Sequence, residues 1–281
     1  MIDLAPNHKN GLLVENPILL AGGMIGYGEA LHRGVATERL GGVVVGPILQ
    51  TSQGGRTGPR LAEVPGGFVL ETGLQNRGIN AVLKQFSALW PRLGCPVIAQ
   101  LADDQPERLA KVAGRLTESN GVSGLELLLP RTATVDLVRT LLRAATRTND
   151  LPVWVKVPLD RATLLAPAAV EAGAVGVVVG QPILGGAQPS GAGGQMGASA
   201  SPLTGSLYGP LAFAPMLAAL AAVARLQLPC ALIACGGIFT VEQVRQALAV
   251  GAQAVQIDAA VWVEPGLPVR LVEALATAPM P

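Results

Sequence analysis

The chain is short of the residues that build metal and disulfide sites. Among its 281 residues are two histidines, His8 and His32, and three cysteines, Cys95, Cys230 and Cys235. Two histidines exclude a His-rich metal site, and a Ser-His-Asp triad would have to use one of them. The cysteines form no Cys-x-x-Cys pair, and their odd number points to a reduced, cytoplasmic protein. Charge is scarce too, at 14 % of residues against about 25 % in an average domain. Twenty Lys+Arg balance nineteen Asp+Glu with no basic run, so a nucleic-acid partner has no electrostatic footing. The amino end lacks the charged-then-apolar order of a secretory signal. No run of about 18 uninterrupted apolar residues offers a membrane span.

What the chain does have is apolar mass, 50 % of residues, which excludes a disordered linker protein. Its 35 glycines and 22 prolines punctuate apolar runs, with one dense patch, GGAQPSGAGGQMGASASP, at 185–202. Short β-branched runs at 17–21, 42–46, 97–101, 124–128, 153–157, 175–179, 231–235 and 254–257 read as parallel strands buried on both faces. Amphipathic stretches at 79–93, 105–119, 134–148, 163–172, 211–226, 241–250 and 268–276 read as the helices between them. Thr134 and Thr240 stand as N-caps, Gly173 and Gly251 as C-caps.

Eight such units without an early G-x-G-x-x-G turn predict a (β/α)8 barrel, an α/β TIM barrel, as one domain over residues 1–281. Two long segments break the rhythm, 48–78 after strand two and 181–210 after strand six. Both follow carboxyl ends of strands, where barrel active sites lie. The Gly/Ser patch reads either as a surface loop or as an active-site lid.

Three places carry candidate chemistry. Alternation along VWVKVP turns Trp154 and Lys156 into the barrel, and a buried ammonium needs an acceptor or an anion. Gly236 and Gly237 end strand seven, and the helix opened by Thr240 offers free N–H groups to an anion, the place where barrels often hold phosphate. Ala21, Gly22 and Gly23 follow strand one and allow backbone contact with a flat ligand. Each also reads as ordinary structure: an ion pair, a tight turn, a strand-to-helix loop.

These residues resemble a known family. NPILLAGGM (16–24), GPRLAE (58–63) and GLQNRGIN (73–80) look like the opening half of the dihydroorotate dehydrogenases. WVKV (154–157), LYGPLA (207–212), ACGGI (234–238) and GAQAVQI (251–257) look like the closing half. The resemblance spans about residues 10–275. It implies a barrel holding flavin mononucleotide (FMN), CH–CH oxidation of dihydroorotate to orotate by hydride transfer to the flavin, and a place in pyrimidine biosynthesis. It places Ala21, Gly22 and Gly23 against the flavin ring and ribityl chain, and Lys156 at the ring's N1/O2 edge. Gly209, Gly236 and Gly237 match phosphate-loop positions. Asp258, however, stands where the family has a glycine that donates its N–H to the phosphate.

The substrate positions depart further from the family pattern. Gly46 replaces a lysine, and Leu70-Glu71-Thr72 replace an Asn-Met segment, although Asn76 is kept. Leu128 and its neighbours in ELLLPR (126–131) replace the family's Asn-x-Ser-Cys-Pro-Asn segment, or its form with serine in place of that cysteine, whose thiol or hydroxyl removes the C5 proton. Gln181-Pro182 replace Asn-Thr or Asn-Ser. The expected substrate pocket is therefore Leu70, Asn76, Leu128 and Gln181, with no catalytic residue assigned.

Three functions follow from the resemblance. One is an FMN-dependent oxidoreductase for a less polar substrate, with Glu71, Glu126, Arg131 or Tyr208 in the vacated roles. Another is a non-catalytic relative serving as partner subunit or ligand-binding module. The third is a true dihydroorotate dehydrogenase whose base is relocated to Thr132, Ser190, Ser199 or Ser201. A homodimer or an iron–sulphur flavoprotein subunit is the partner that the resemblance implies.

Overall fold

The computed structural model describes residues 1–29, 34–147, 149–188 and 201–277. His32, Ser190, Ser199 and most of the Gly/Ser patch lie outside the described residues. Eight parallel strands close a barrel in sequence order. They are β1 (Ile18–Leu20), β2 (Gly42–Ile48), β3 (Val97–Leu101), β4 (Gly124–Leu128), β5 (Val153–Pro158), β6 (Gly176–Gln181), β7 (Ala231–Cys235) and β8 (Ala254–Ile257). The helices α1 (Ile79–Phe86), α2 (Pro106–Thr117), α3 (Val135–Arg147), α4 (Ala162–Glu171), α5 (Phe213–Ala224), α6 (Val241–Val250), α7 (Ala260–Val263) and α8 (Leu267–Thr277) lie between or after them. The fold is the (β/α)8 barrel that the strand count predicts.

Burial on both faces explains the continuous apolar strands. On β5, Val153, Val155 and Val157 face the helices, and Trp154 and Lys156 fill the barrel. Trp154 sets the size of its neighbours. A Cβ on Gly124 of β4 would come within 2.4 Å of its ring, and one on Gly176 of β6 within 2.5 Å. Its indole N–H donates to the Leu4 carbonyl at 2.9 Å. Leu4 follows an antiparallel pair, Ile2–Asp3 with Leu13–Val14, that covers the amino end of the barrel.

The two long segments are not independent loops. Leu61–Val64 and Gly67–Leu70 form a hairpin, Leu184–Ala187 and Leu203–Tyr208 form a second, and the two join into one four-stranded antiparallel sheet. The sheet sits at the carboxyl ends of the barrel strands. Phe68 stacks on Tyr208 at 5.6 Å and on Trp262 at 5.9 Å. Trp262 in turn donates to the Met24 carbonyl at 2.9 Å. An aromatic ladder thus fastens the sheet to the rim. No helix among the described residues is long and apolar enough to cross a membrane.

Candidate active site

Four polar side chains meet inside the barrel below the carboxyl rim, each from an inward position of a different strand: Gln100 (β3), Glu126 (β4), Lys156 (β5) and Gln256 (β8). Lys156 Nζ donates to Gln256 Oε1 at 2.8 Å and stands 3.7 Å from Glu126 Oε1. Glu126 Oε1 accepts from Gln100 Nε2 at 2.7 Å, and its Oε2 accepts from Gln256 Nε2. Burial alone would lower the Lys156 pKa. The Cys235 thiolate that forms at high pH and the Glu126 carboxylate outweigh it, and the value is raised; near neutrality, with Cys235 protonated, Glu126 is the counter-charge. Lys156 is therefore a fixed ammonium with a built-in counter-charge. Glu126 has both oxygens engaged below the cavity, which removes it from the candidate bases. The network was legible only in part. The Gln of VIAQL and the Gln of AVQI, polar side chains at inward positions of apolar strands, were the signal for its other members.

Above this network opens a cavity of about 700 Å³, within the usual size of a small-molecule site of roughly 300–1,000 Å³. Ala21, Gly22, Gly23, Leu70, Leu128, Lys156 and Gln181 all line it, so the structure brings together seven of the residues proposed from sequence. A Cβ on Gly23 would meet no atom within 4 Å, so that backbone is open to a ligand. At Gly22 the constraint is internal, since a Cβ would fall 2.5 Å from Gln100 Nε2. Gly209, Gly236, Gly237 and Asn76 do not line the cavity. Asn76 brackets its own loop, accepting the Gly78 N–H at 2.9 Å and donating to the Leu74 carbonyl at 3.0 Å. Thr132 and Ser201 are exposed and lie off the cavity wall.

The wall also carries Arg131, Tyr208, Cys235 and Asp258, and towards its outer side the charged Glu71, Asp103, Asp104 and Arg108. Arg131 donates to Ser206 Oγ at 2.8 Å and to the Pro182 carbonyl, which aims a guanidinium across the mouth. Burial lowers its pKa, opposed by Tyr208, Asp160 and Glu71. Burial pushes the Tyr208 hydroxyl up to about 12, with the Asp258 charge acting in the same direction. It also pushes the Cys235 thiol up to about 12. Asp258 is pushed up to about 6, again by burial, against the pull of Lys156 and of the N–H groups of Gly237, Ala259 and Asp258 itself. Two buried acceptors on this wall have no partner among the described residues, Asp258 Oδ1 and Gln181 Oε1. Gln181 spends its amide N–H on the Leu129 carbonyl at 2.9 Å.

Part of the expected anion site on α6 is occupied by the chain itself. Thr240 and Gln243 form a capping box. Gln243 Oε1 accepts the N–H groups of Phe239 at 2.7 Å and Thr240 at 3.0 Å, and Thr240 Oγ1 accepts that of Gln243 at 3.2 Å. Those donors are already spent within the chain. The expected departure from the family at Gly46, which lies within β2, has a structural counterpart. Gly46 has φ +121, and a Cβ there would lie 2.9 Å from the Gln100 carbonyl oxygen.

Comparison with known proteins agrees with this architecture. Residues 7–278 match the family described as dihydroorotate dehydrogenase. The chain belongs to the dihydroorotate dehydrogenase family. It is 30 % identical over 280 residues to the catalytic subunit of dihydroorotate dehydrogenase B (NAD(+)) from Geobacillus kaustophilus, covering 91 % of this chain and 84 % of that one. The corresponding subunit from Endomicrobium trichonymphae is 33 % identical over 187 residues, 63 % of this chain and 61 % of that one. In fold, the chain resembles a dihydroorotate dehydrogenase from Eimeria tenella solved with ferulenol. That likeness has a TM-score of 0.79 at 19 % identity, covering 97 % of this chain and 82 % of that one.

Family membership raises the question of FMN. The open backbone at Gly23 and the ammonium of Lys156 suit the ring of a flavin. The phosphate end does not suit FMN. There a buried carboxylate, Asp258, faces the N–H groups of Gly237 and Ala259 and leaves Oδ1 needing a donor. A phosphate dianion brings only acceptors and like charge. The residues present do not fit the complete phosphorylated cofactor.

Proposed function

We propose that this chain is a flavin-dependent oxidoreductase of the dihydroorotate dehydrogenase family whose substrate is less polar than dihydroorotate and is held by one acid group at Arg131. The observation that carries this reading is the wall after β4 and β6. Where a pyrimidine ring would need amides, Leu128, Leu129, Pro130 and Pro182 line the cavity. Leucine and proline side chains neither donate to nor accept from a ring amide. Arg131 is the cation beside them, with a guanidinium suited to a carboxylate. Tyr208 and Cys235 stay protonated near neutral pH, so they serve as hydrogen-bond donors rather than ready bases. The relatives are named catalytic subunits, which supports a second chain as the electron relay.

The test is calorimetric binding of two product-like acids. One is orotate. The other is cyclohex-1-ene-1-carboxylate, which keeps the six-membered ring and the acid but has no ring amides. The carbocyclic acid binds at least about tenfold tighter, because orotate must strand its amides against leucine. Arg131→Ala abolishes the binding of both. Tighter binding of orotate overturns the reading.

A further inference from the structure

The Asp258 side chain is the feature that the proposed function leaves unexplained. It sits on the first residue after β8, beside the turn after β7, where barrels commonly build a phosphate site from loop backbone. Several parts of such a site are engaged or crowded by the chain itself. The capping box holds the N–H groups of Phe239, Thr240 and Gln243 at the start of α6. Gly209 packs against the turn between the strands Leu61–Val64 and Gly67–Leu70, where a Cβ would fall 2.5 Å from the Gly66 carbonyl oxygen. A Cβ on Gly237 would fall 2.3 Å from the Phe213 nitrogen. The N–H groups of Gly237 and Ala259 are faced by Asp258, which is 2 % exposed and lines the cavity.

We infer that Asp258 is a built-in substitute for a ligand phosphate, and that the site takes a flavin without its phosphate, with a polyol tail that donates a hydroxyl to Asp258 Oδ1. The inference rests on the flavin reading above and narrows it to a ligand class. A buried carboxylate oxygen without a partner calls for a donor. A ribityl hydroxyl supplies one and carries no charge. A phosphate dianion would compete with Asp258 for the same two N–H groups and repel it. Tyr208 belongs to the same arrangement, because the Asp258 charge helps to keep its hydroxyl protonated and able to donate.

The experiment is a fluorescence-quenching titration of the full chain with riboflavin and with FMN, for the wild type, Asp258→Gly and Asp258→Asn. Wild type binds riboflavin at least tenfold tighter than FMN. Asp258→Gly frees the backbone N–H groups and reverses the order. Asp258→Asn removes the charge at constant shape and reduces the riboflavin preference, which keeps the test valid if the glycine variant does not fold. Wild type binding FMN as tightly as riboflavin overturns the inference and leaves the flavin reading standing. Equal FMN affinity in all three proteins also overturns it. If neither flavin binds the wild type, the flavin reading fails and the inference fails with it.

Discussion

Replacing Asp258 with asparagine should stabilise the protein, increasingly so as the pH rises. The carboxyl has a pKa of about 6 against an ordinary 3.8, because burial penalises its charged form more than Lys156 and the backbone N–H groups support it. Between those values the folded state holds a proton that the unfolded state has released. Stability therefore falls as pH rises from about 4 to about 6, and the full penalty applies above that window. At 1.36 kcal/mol per pKa unit, a shift of roughly two units costs about 3 kcal/mol near neutrality. For a chain of this length that is roughly 6 °C in Tm. Asparagine keeps the shape and cannot ionise, so the variant matches wild type near pH 4 and exceeds it by about 3 kcal/mol at pH 7. The assay is urea denaturation of both proteins across pH 4–7.5, in which other titrating groups contribute alike and cancel in the difference. Parallel stability curves, or a wild-type advantage that grows with pH, would refute the reasoning.

The interior network yields a prediction of opposite sign. Glu126→Gln leaves the Lys156 ammonium buried without its counter-charge and costs about 3–5 kcal/mol, read as a lower urea midpoint. Adding Lys156→Met restores most of it; a single variant as stable as wild type would mean that the pair is not coupled. Restoring the family's lysine by Gly46→Lys fails structurally. Its φ of +121 and the nearby Gln100 carbonyl oxygen lower the stability by about 1–3 kcal/mol in a thermal melt, whereas an unchanged Tm would contradict this geometry.

The barrel was legible because parallel strands buried on both faces are written as plain apolar runs. VVV at 43–45 and VGVVVG at 175–180 fall inside β2 and at β6. Helix lengths were less so. The 79–93 stretch ends as α1 at Phe86 and resumes as a 3-10 turn, Trp90–Arg92, where Pro91 cannot continue an α-helix. The sheet over the cavity was hidden, because Gly67–Leu70 pairs with Leu203–Tyr208 across more than a hundred residues and neither strand alternates cleanly. At the site, strand parity placed Lys156 inside the barrel, but its partners come from three other strands and only three-dimensional proximity reveals them. The α6 anion reading met a local competitor: Thr240-Val241-Glu242-Gln243 carries the capping-box pattern, which uses the Thr240 and Gln243 N–H groups within the chain. Asp258 stood out as a departure from the family, yet the N–H groups it faces were visible only in the fold.

The central claim is that this family member has given up dihydroorotate. Its most direct test is anaerobic mixing of the riboflavin-loaded protein with dihydroorotate, following the visible absorption of the flavin. The account predicts no bleaching and no orotate, since the lost polar readers alone remove discrimination of about 10⁴. Rapid bleaching with stoichiometric orotate would contradict it and restore dihydroorotate as the substrate.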